Sequence, residues 1–457
     1  MGNSNRPGLD SSIFRAYDIR GIYPTEFNED GAYLIAQAIQ EYSHCKTVAI
    51  GRDVRLSALA IHRAVCRGFM DAGCQVSDCG VVGTDMMAWA AGALDFDITI
   101  NVTASHNPKE WIGLKIFKRG GEVVGGTGEL QEIGNIVANL NVQYPISNIN
   151  PEGTTPIDLL PGWVNHVLSF VNPQVMRSFK IVIDAGNGVA GPIVHELFKR
   201  LPVQVTELYF EPDGNFPNHL PSPIEPKNTL DLQAKVREME ADLGLAFDGD
   251  ADRMFLVDDQ GQWVNGSETT ALVIDETLSQ DRTRVVLHNA ICGWNVRDVI
   301  AKHHATAYRT KVGHAYIRAD MKKYGAFLAG EHSGHYFFKD NYNGDSGLIA
   351  AVMVLALISK RGQSLSQILL PYRQYYQIPE TNFKVSDPKL MMQKLAARYA
   401  DGAIDWLDGL TVTYSDWWLN VRPSSNEPLL RLNVEAVSQE RLDNKTTELT
   451  AAIQEPA

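Results

Sequence analysis

Three times along this chain a short apolar run breaks directly into a polar, Gly- or Asn-bearing loop. ITINV (Ile98–Val102) leads into TASHNP, LGLAF (Leu243–Phe247) into DGDADR, and AFLA (Ala326–Ala329) into GEHSGH. In open α/β sheets ligands sit outside the carboxyl ends of the strands, so such loops are where chemistry collects. The flanking sequence agrees with that architecture. Thr47–Ile50 reads as a strand, Leu56–Met70 as a helix, and Gln75–Cys79 and Asp97–Val102 as further strands. The order restarts with Lys180–Ile183, a helix at Pro192–Lys199 and a strand at Val203–Leu208. Alternation of this kind predicts an α/β fold, helices layered on largely parallel sheets. After Pro371 the pattern changes, and the alternating run Thr411–Val434, with Trp417 and Trp418, predicts a smaller antiparallel α+β module.

At ~150 residues per domain, the 457 residues suit several cores. The predicted divisions are 1–150, 151–253, 254–368 and 369–457, the first break resting on the polar, Pro- and Asn-rich stretch Gln143–Pro156. Three domains each offering one loop, with a fourth loop from the last module, are expected to converge on one central cleft.

The 41 basic and 54 acidic residues give a net charge of −13, which argues against a broad nucleic-acid surface. Any anionic ligand must therefore find its positive partners in one local pocket. The five cysteines form no CxxC pair, which reads as reduced thiols of a cytoplasmic protein. Met1–Asp10 lacks an apolar signal segment. The apolar run Leu348–Ile358 is shorter than the ~20 residues of a membrane helix and reads as a buried helix.

DGDADR (Asp248–Arg253) is the most informative motif. Three aspartates at i, i+2 and i+4 after a strand turn their carboxylates toward one point, the oxygen-only environment that hard divalent cations take. An EF-hand would need Gly at loop position six, where Arg253 stands, and Glu at position twelve, where Asp259 stands. A solvated acidic turn is the blander alternative. Mg²⁺ usually recruits phosphate oxygens as well. TASHNP (Thr103–Pro108) offers Ser105 as nucleophile or phosphoryl carrier, although Ser, Asn and Pro also make ordinary turns.

GEHSGH (Gly330–His335) sets Glu331 and Ser333 where they suit paired sugar hydroxyls, and His335 where it can titrate near neutrality. Its H-x-x-H spacing lacks the helical geometry of a zinc site. RPSSNEP (Arg422–Pro428) gathers Arg422, Ser424, Ser425 and Asn426 in one turn, a metal-free grip for a phosphate or simply a polar hairpin tip. Arg431 is read as a second cation there. Arg20 in FRAYDIRG (Phe14–Gly21), Lys118, Lys311 and His314 are basic residues near these stretches; taken singly, each reads equally well as surface charge.

With these motifs in this order, over nearly the whole length, the chain resembles the α-D-phosphohexomutase superfamily. GEHSGH and DGNFPNHLPSPIEPKN (Asp213–Asn228) make it most similar to the bacterial phosphomannomutase branch, including the dual phosphomannomutase/phosphoglucomutase enzymes. The resemblance implies four domains around a deep cleft, three related mixed α/β domains and a C-terminal domain that closes as a lid. It implies a phosphoserine at Ser105, one Mg²⁺ held by that group with Asp248, Asp250 and Asp252, and Arg253 beside them. Glu331 and Ser333 would bind sugar hydroxyls, and Arg422, Ser424, Ser425 and Asn426 the non-reacting phosphate. Tyr17, Arg20, Lys118, Lys311, His314 and His335 match cleft-lining positions. The phosphate loop reads S-S-N where relatives commonly have S-N-T or S-G-T.

The expected activity is a phosphomannomutase, interconverting mannose 6-phosphate and mannose 1-phosphate through a hexose 1,6-bisphosphate that also serves as activator. Lys118 and His335 are the expected proton shuttles. The expected partners are small hexose phosphates, with neither nucleic acid nor membrane. A mutase for glucose or glucosamine phosphates, a non-catalytic phosphosugar-binding protein and a metal-dependent phosphatase are the alternatives.

Overall fold

The computed structural model describes residues 9–126, 128–140, 153–423 and 429–455. One arrangement of three parallel strands recurs in it, with the first strand in sequence always in the middle. Thr47–Arg52 lies between Gln75–Val81 and Ile98–Val102. Phe179–Asp184 lies between Val203–Leu208 and Leu243–Phe247. Val286–Asn289 lies between Ala307–Thr310 and Leu328–Gly330. In each set the last strand runs into one of the three motif loops. In the first two sets the chain then returns antiparallel, as Trp111–Lys118 against Ile98–Val102 and as Met254–Val257 against Leu243–Phe247. A short polar loop can close such a return, whereas parallel neighbours need a helical crossover.

That hairpin corrects the expected division after Arg253. Met254–Val257 and Trp263–Val264 extend the second sheet, so the Gly- and Asp-rich stretch is a hairpin tip and not a domain end. Thr155–Pro156 likewise pairs with Ser77–Asp78 in the first sheet, beyond the expected break at 150. The chain forms two compact units, 1–264 with 335–365, and 265–334 with 366–457. The apolar helix Gly347–Arg361 therefore belongs with the first two sheets and not with a block 254–368. It is apolar on most sides because it packs on the strand Met254–Val257 and the helix Leu160–Leu168, as a helix buried all round must. Ser346 caps it, accepting from Ile349 N at 3.2 Å and donating to the buried Asp85 at 2.7 Å. Among the described residues no single helix is long and apolar enough to cross a membrane.

The C-terminal sheet is antiparallel, with Trp417–Pro423 between Leu410–Thr413 and Leu429–Ala436. Period-two alternation sorts its central strands into two buried faces. Trp417, Leu419 and Val421 join Leu430, Leu432, Val434 and Ala436 in an apolar core. The opposite face carries Trp418, Asn420 and Arg422 beside Glu435, Asn433 and Arg431. Glu435 on this polar face accepts from Trp294 N at 2.7 Å and from Trp418 Nε1 at 2.9 Å. Burial outweighs these bonds and the nearby Arg297, and with Asp298 adding to it the carboxyl is pushed up to about 7.

A carboxyl whose folded pKa exceeds its unfolded value of 4.5 adds stability that is complete below the unfolded pKa. It is lost as pH rises through the folded one. Wild type should therefore lose about 3 kcal/mol relative to Glu435→Gln between pH 4.5 and pH 7.5. Thermal unfolding of both proteins across that range checks it; parallel pH profiles would refute it.

Candidate active site

Ser105 is fully buried and left-handed, with φ of 51°. That backbone turns Oγ toward the second motif loop, where it donates to Asp248 Oδ2 at 2.7 Å; a further contact at 3.2 Å is to His106 Nδ1. The two loops meet at Gly249, where a Cβ would stand 2.5 Å from the Ser105 carbonyl oxygen. Only glycine lets the metal-type loop lie this close to the serine. Ala251, at φ 64°, turns the chain so that Asp248, Asp250 and Asp252 point the same way. One oxygen from each lies within 4.8 Å of the others.

The described residues fit a divalent cation. All three carboxylates are buried, and Asp250 Oδ1 and Asp252 Oδ1 have no hydrogen-bond donor. Buried polar atoms are rarely left so. Oxygen-only donors in this number are what a hard cation takes. Burial, and then the charges of Asp252 and Asp250, pushes the Asp248 carboxyl well above its usual range. Burial also opposes ionisation of Asp252, but Lys115, His335 and Arg253 outweigh it and hold that carboxyl below the usual range.

Lys115 escaped the sequence reading. Its Nζ sits 2.8 Å from Asp250 Oδ2 and 2.5 Å from Asp252 Oδ2. Burial works against its ammonium form, but Asp250, Asp252 and Asp248 keep its pKa above the ordinary lysine value. Lys118, the lysine expected at the reacting centre, is not brought there. Three positions further along Trp111–Lys118 it points to the other face, pairing with Glu129 and lying 5.8 Å from the Tyr42 ring. Strand parity separates the two lysines and was the signal available in the sequence.

The other expected residues of this unit surround the cluster. Arg253 Nε lies 3.5 Å from Asp248 Oδ2 and donates to His335 Nε2 at 3.0 Å. His335 Nε2 is also 3.6 Å from Asp252 Oδ1 and 3.8 Å from Asp345 Oδ2. Arg20 pairs with Asp18 and donates to Asn107 Oδ1 at 2.5 Å, next to the serine loop. Tyr17 is half-buried, its backbone against Gly125. Burial, then Arg253, Arg20, Lys115 and His335, hold the His106 imidazole well below its ordinary pKa, so it is neutral beside Ser105.

In the second unit Glu331 is buried and accepts from Asn289 Nδ2 at 3.0 Å and Gly313 N at 3.2 Å. His314 opens the helix His314–Tyr324, Lys311 is exposed with Nζ 5.5 Å from the Tyr316 ring, and Ser333 is half-buried. Arg422 and Arg431 stand directly opposite on neighbouring strands. Glu380, also missed in the sequence, bridges them: Arg422 Nη2 reaches Oε2 at 2.9 Å and Arg431 Nη1 reaches Oε1 at 2.7 Å. Burial resists its charge, but the two arginines bring that carboxyl down to about 2. Ser424, Ser425 and Asn426 lie outside the described residues.

Family models cover the chain in order. Those described as phosphoglucomutase/phosphomannomutase, alpha/beta/alpha domains I, II and III match residues 11–142, 161–261 and 265–375. The C-terminal domain of the same family matches 380–451. The phosphomannomutase of Vibrio cholerae is 36% identical over 97% of this chain and 98% of its own length. The phosphomannomutase/phosphoglucomutase of Pseudomonas aeruginosa is 34% identical over 98% and 96%. A crystal structure of a phosphoglucomutase/phosphomannomutase family protein from Burkholderia thailandensis superposes with a TM-score of 0.87 at 31% identity, covering 98% of both chains. By its loops, its sheets and these relatives, the chain belongs to the phosphoglucomutase/phosphomannomutase family of phosphohexomutases, in the bacterial phosphomannomutase branch.

Proposed function

We propose that this protein is a phosphomannomutase that interconverts mannose 6-phosphate and mannose 1-phosphate through a phosphoserine at Ser105 and a hexose 1,6-bisphosphate. The observation that carries the reading is the 2.7 Å contact between Ser105 Oγ and Asp248 inside a buried trio of carboxylates. A hydroxyl in that setting has one evident use, to carry a group whose charge a cation neutralises. Asp248, Asp250 and Asp252, with an oxygen of the phosphorylated Ser105, would hold Mg²⁺. When bound it stabilises the negative charge that shifts during phosphoryl transfer.

The chain's own residues supply the rest. In the forward step the P–O bond to Ser105 breaks and a P–O bond to the free sugar hydroxyl forms. The hydroxyl proton passes to a nearby base, and the serine oxygen leaves as alkoxide beside the cations of Lys115 and Arg253. His335, beside Arg253 and Asp252, is the proposed base. Lys115, held as ammonium by Asp250 and Asp252, stabilises charge on the leaving oxygen. Glu331 and Ser333 bind sugar hydroxyls; Arg422, Arg431, Ser424, Ser425 and Asn426 grip the phosphate that does not react. Tyr17, Arg20, Lys311 and His314 supply further polar contacts to the sugar phosphate. The bisphosphate turns end for end and returns its other phosphoryl group to Ser105, so a trace of it primes the dephosphorylated enzyme.

The test is a set of initial rates on mannose 1-phosphate, glucose 1-phosphate and glucosamine 1-phosphate, with and without added hexose 1,6-bisphosphate. Turnover of mannose 1-phosphate, accelerated by the bisphosphate, is expected. A strong preference for glucosamine 1-phosphate, or net release of inorganic phosphate, would overturn the assignment.

A further inference from the structure

We propose that Arg55 is the positioning residue of the serine loop: its guanidinium locks Ser105 in the left-handed conformation that aims Oγ at Asp248. The proposal rests on the reading of Ser105 as the phosphoryl carrier. Arg55 follows the strand Thr47–Arg52, far in sequence from the loop it serves. Its Nη2 donates to the carbonyls of Ser105 and Asn107, both at 2.7 Å. Its Nη1 donates to those of Pro108 at 2.7 Å and Trp111 at 3.1 Å. The remaining Nε–H goes to Asp53 Oδ2 at 3.0 Å. All five donors of the planar fork are thus spent, four of them on one turn.

Asp53 closes the other side of the same residue. It accepts from the Thr103 hydroxyl at 2.8 Å, and Thr103 Oγ1 accepts the Ser105 amide at 2.9 Å. The pair therefore fixes both the N–H and the C=O of a residue in a sterically disfavoured conformation, and such conformations persist only where the surroundings over-determine them. The Arg55 side chain is wholly enclosed. Phe216 lies with its ring 5.2 Å from the guanidinium, and Gly214 packs so close that a Cβ would stand 2.8 Å from Arg55 Cα. With no surface open to a ligand, this arginine acts on the reaction only through Ser105. Lysine cannot substitute, since a compact ammonium with three donors does not match the fork.

Arg55→Lys in the full-length protein tests the assignment, with Asp53→Asn as a milder variant should the first fail to fold. The dephosphorylated proteins are mixed with glucose 1,6-bisphosphate, and phosphorylation of Ser105 is timed by intact mass. The rate should fall roughly 100-fold, the scale of a small misplacement of a reacting group, while KM for mannose 1-phosphate stays within about threefold. Exchange of the amide hydrogens in residues 105–111 is expected to quicken at least about tenfold in the folded variant. A folded variant that phosphorylates at the wild-type rate, or a loop that exchanges unchanged, overturns the proposal. A wild type that takes up no phosphoryl group while the variant's loop exchanges faster would instead overturn the carrier role and leave the loop-holding role supported.

Discussion

Ser105→Ala is expected to remain folded, to take up no phosphoryl group from a hexose 1,6-bisphosphate, and to lose roughly 10⁴-fold or more in turnover, as removal of a nucleophile does. Alanine keeps the Cβ, and the Ser105 N–H and C=O are held by Thr103 and Arg55, so the loop keeps its path. What is lost is one hydroxyl donor to Asp248, a change of about 1–2 kcal/mol in stability. Intact mass before and after incubation with the bisphosphate separates the outcomes. Wild type should gain a species one phosphoryl group heavier, and the variant none. A variant that still becomes phosphorylated and still turns over would move the carrier to another residue and sink the mechanism.

The loops of this site were legible because each follows an apolar strand and breaks it abruptly, and because the third strand of each parallel set is the one that ends there. Asp248, Asp250 and Asp252 declare themselves by spacing alone. Lys115 did not. A lysine inside an apolar strand looks like surface charge until the register sets it opposite Asn101 and aims it at two carboxylates; Lys118, nearer the strand end, was the more conspicuous lysine. Arg55 and Glu380 were invisible for a different reason. Their partners are backbone carbonyls about fifty residues away in one case, and arginines on other strands in the other. Neither relation leaves a local pattern.

The break placed after Arg253 failed on similar grounds. A Gly- and Asp-rich stretch reads as a boundary, but pairing of Met254–Val257 with Leu243–Phe247 turns it into a hairpin tip. Local composition reports where regular structure stops. It does not report which sheet the next strand joins.

Asp250→Asn isolates the charge requirement from the packing. Asp250 Oδ2 accepts from Thr84 Oγ1 at 2.5 Å and from Lys115 Nζ at 2.8 Å. Oδ1 has no donor. An asparagine of the same shape places its amide oxygen at the first position, keeping those bonds, and its NH₂ at the second, facing the neighbouring carboxylates. The fold is retained, but the buried Lys115 ammonium loses one of its two close carboxylate partners, so the metal-free protein should be somewhat less stable than wild type.

The cation then meets two carboxylates and an amide N–H₂ where it needs oxygen. Wild type in Mg²⁺ at about 100 times its dissociation constant gains about 3 kcal/mol of stability, and Asp250→Asn should gain almost none. Turnover should fall by roughly 10³-fold or more, as loss of an electrostatic stabiliser at a reacting phosphoryl group does. Thermal unfolding with and without Mg²⁺ reads the first effect independently of activity. If the variant is stabilised by Mg²⁺ as strongly as wild type, the cation binds elsewhere, and the buried oxygens of Asp250 and Asp252 need another explanation.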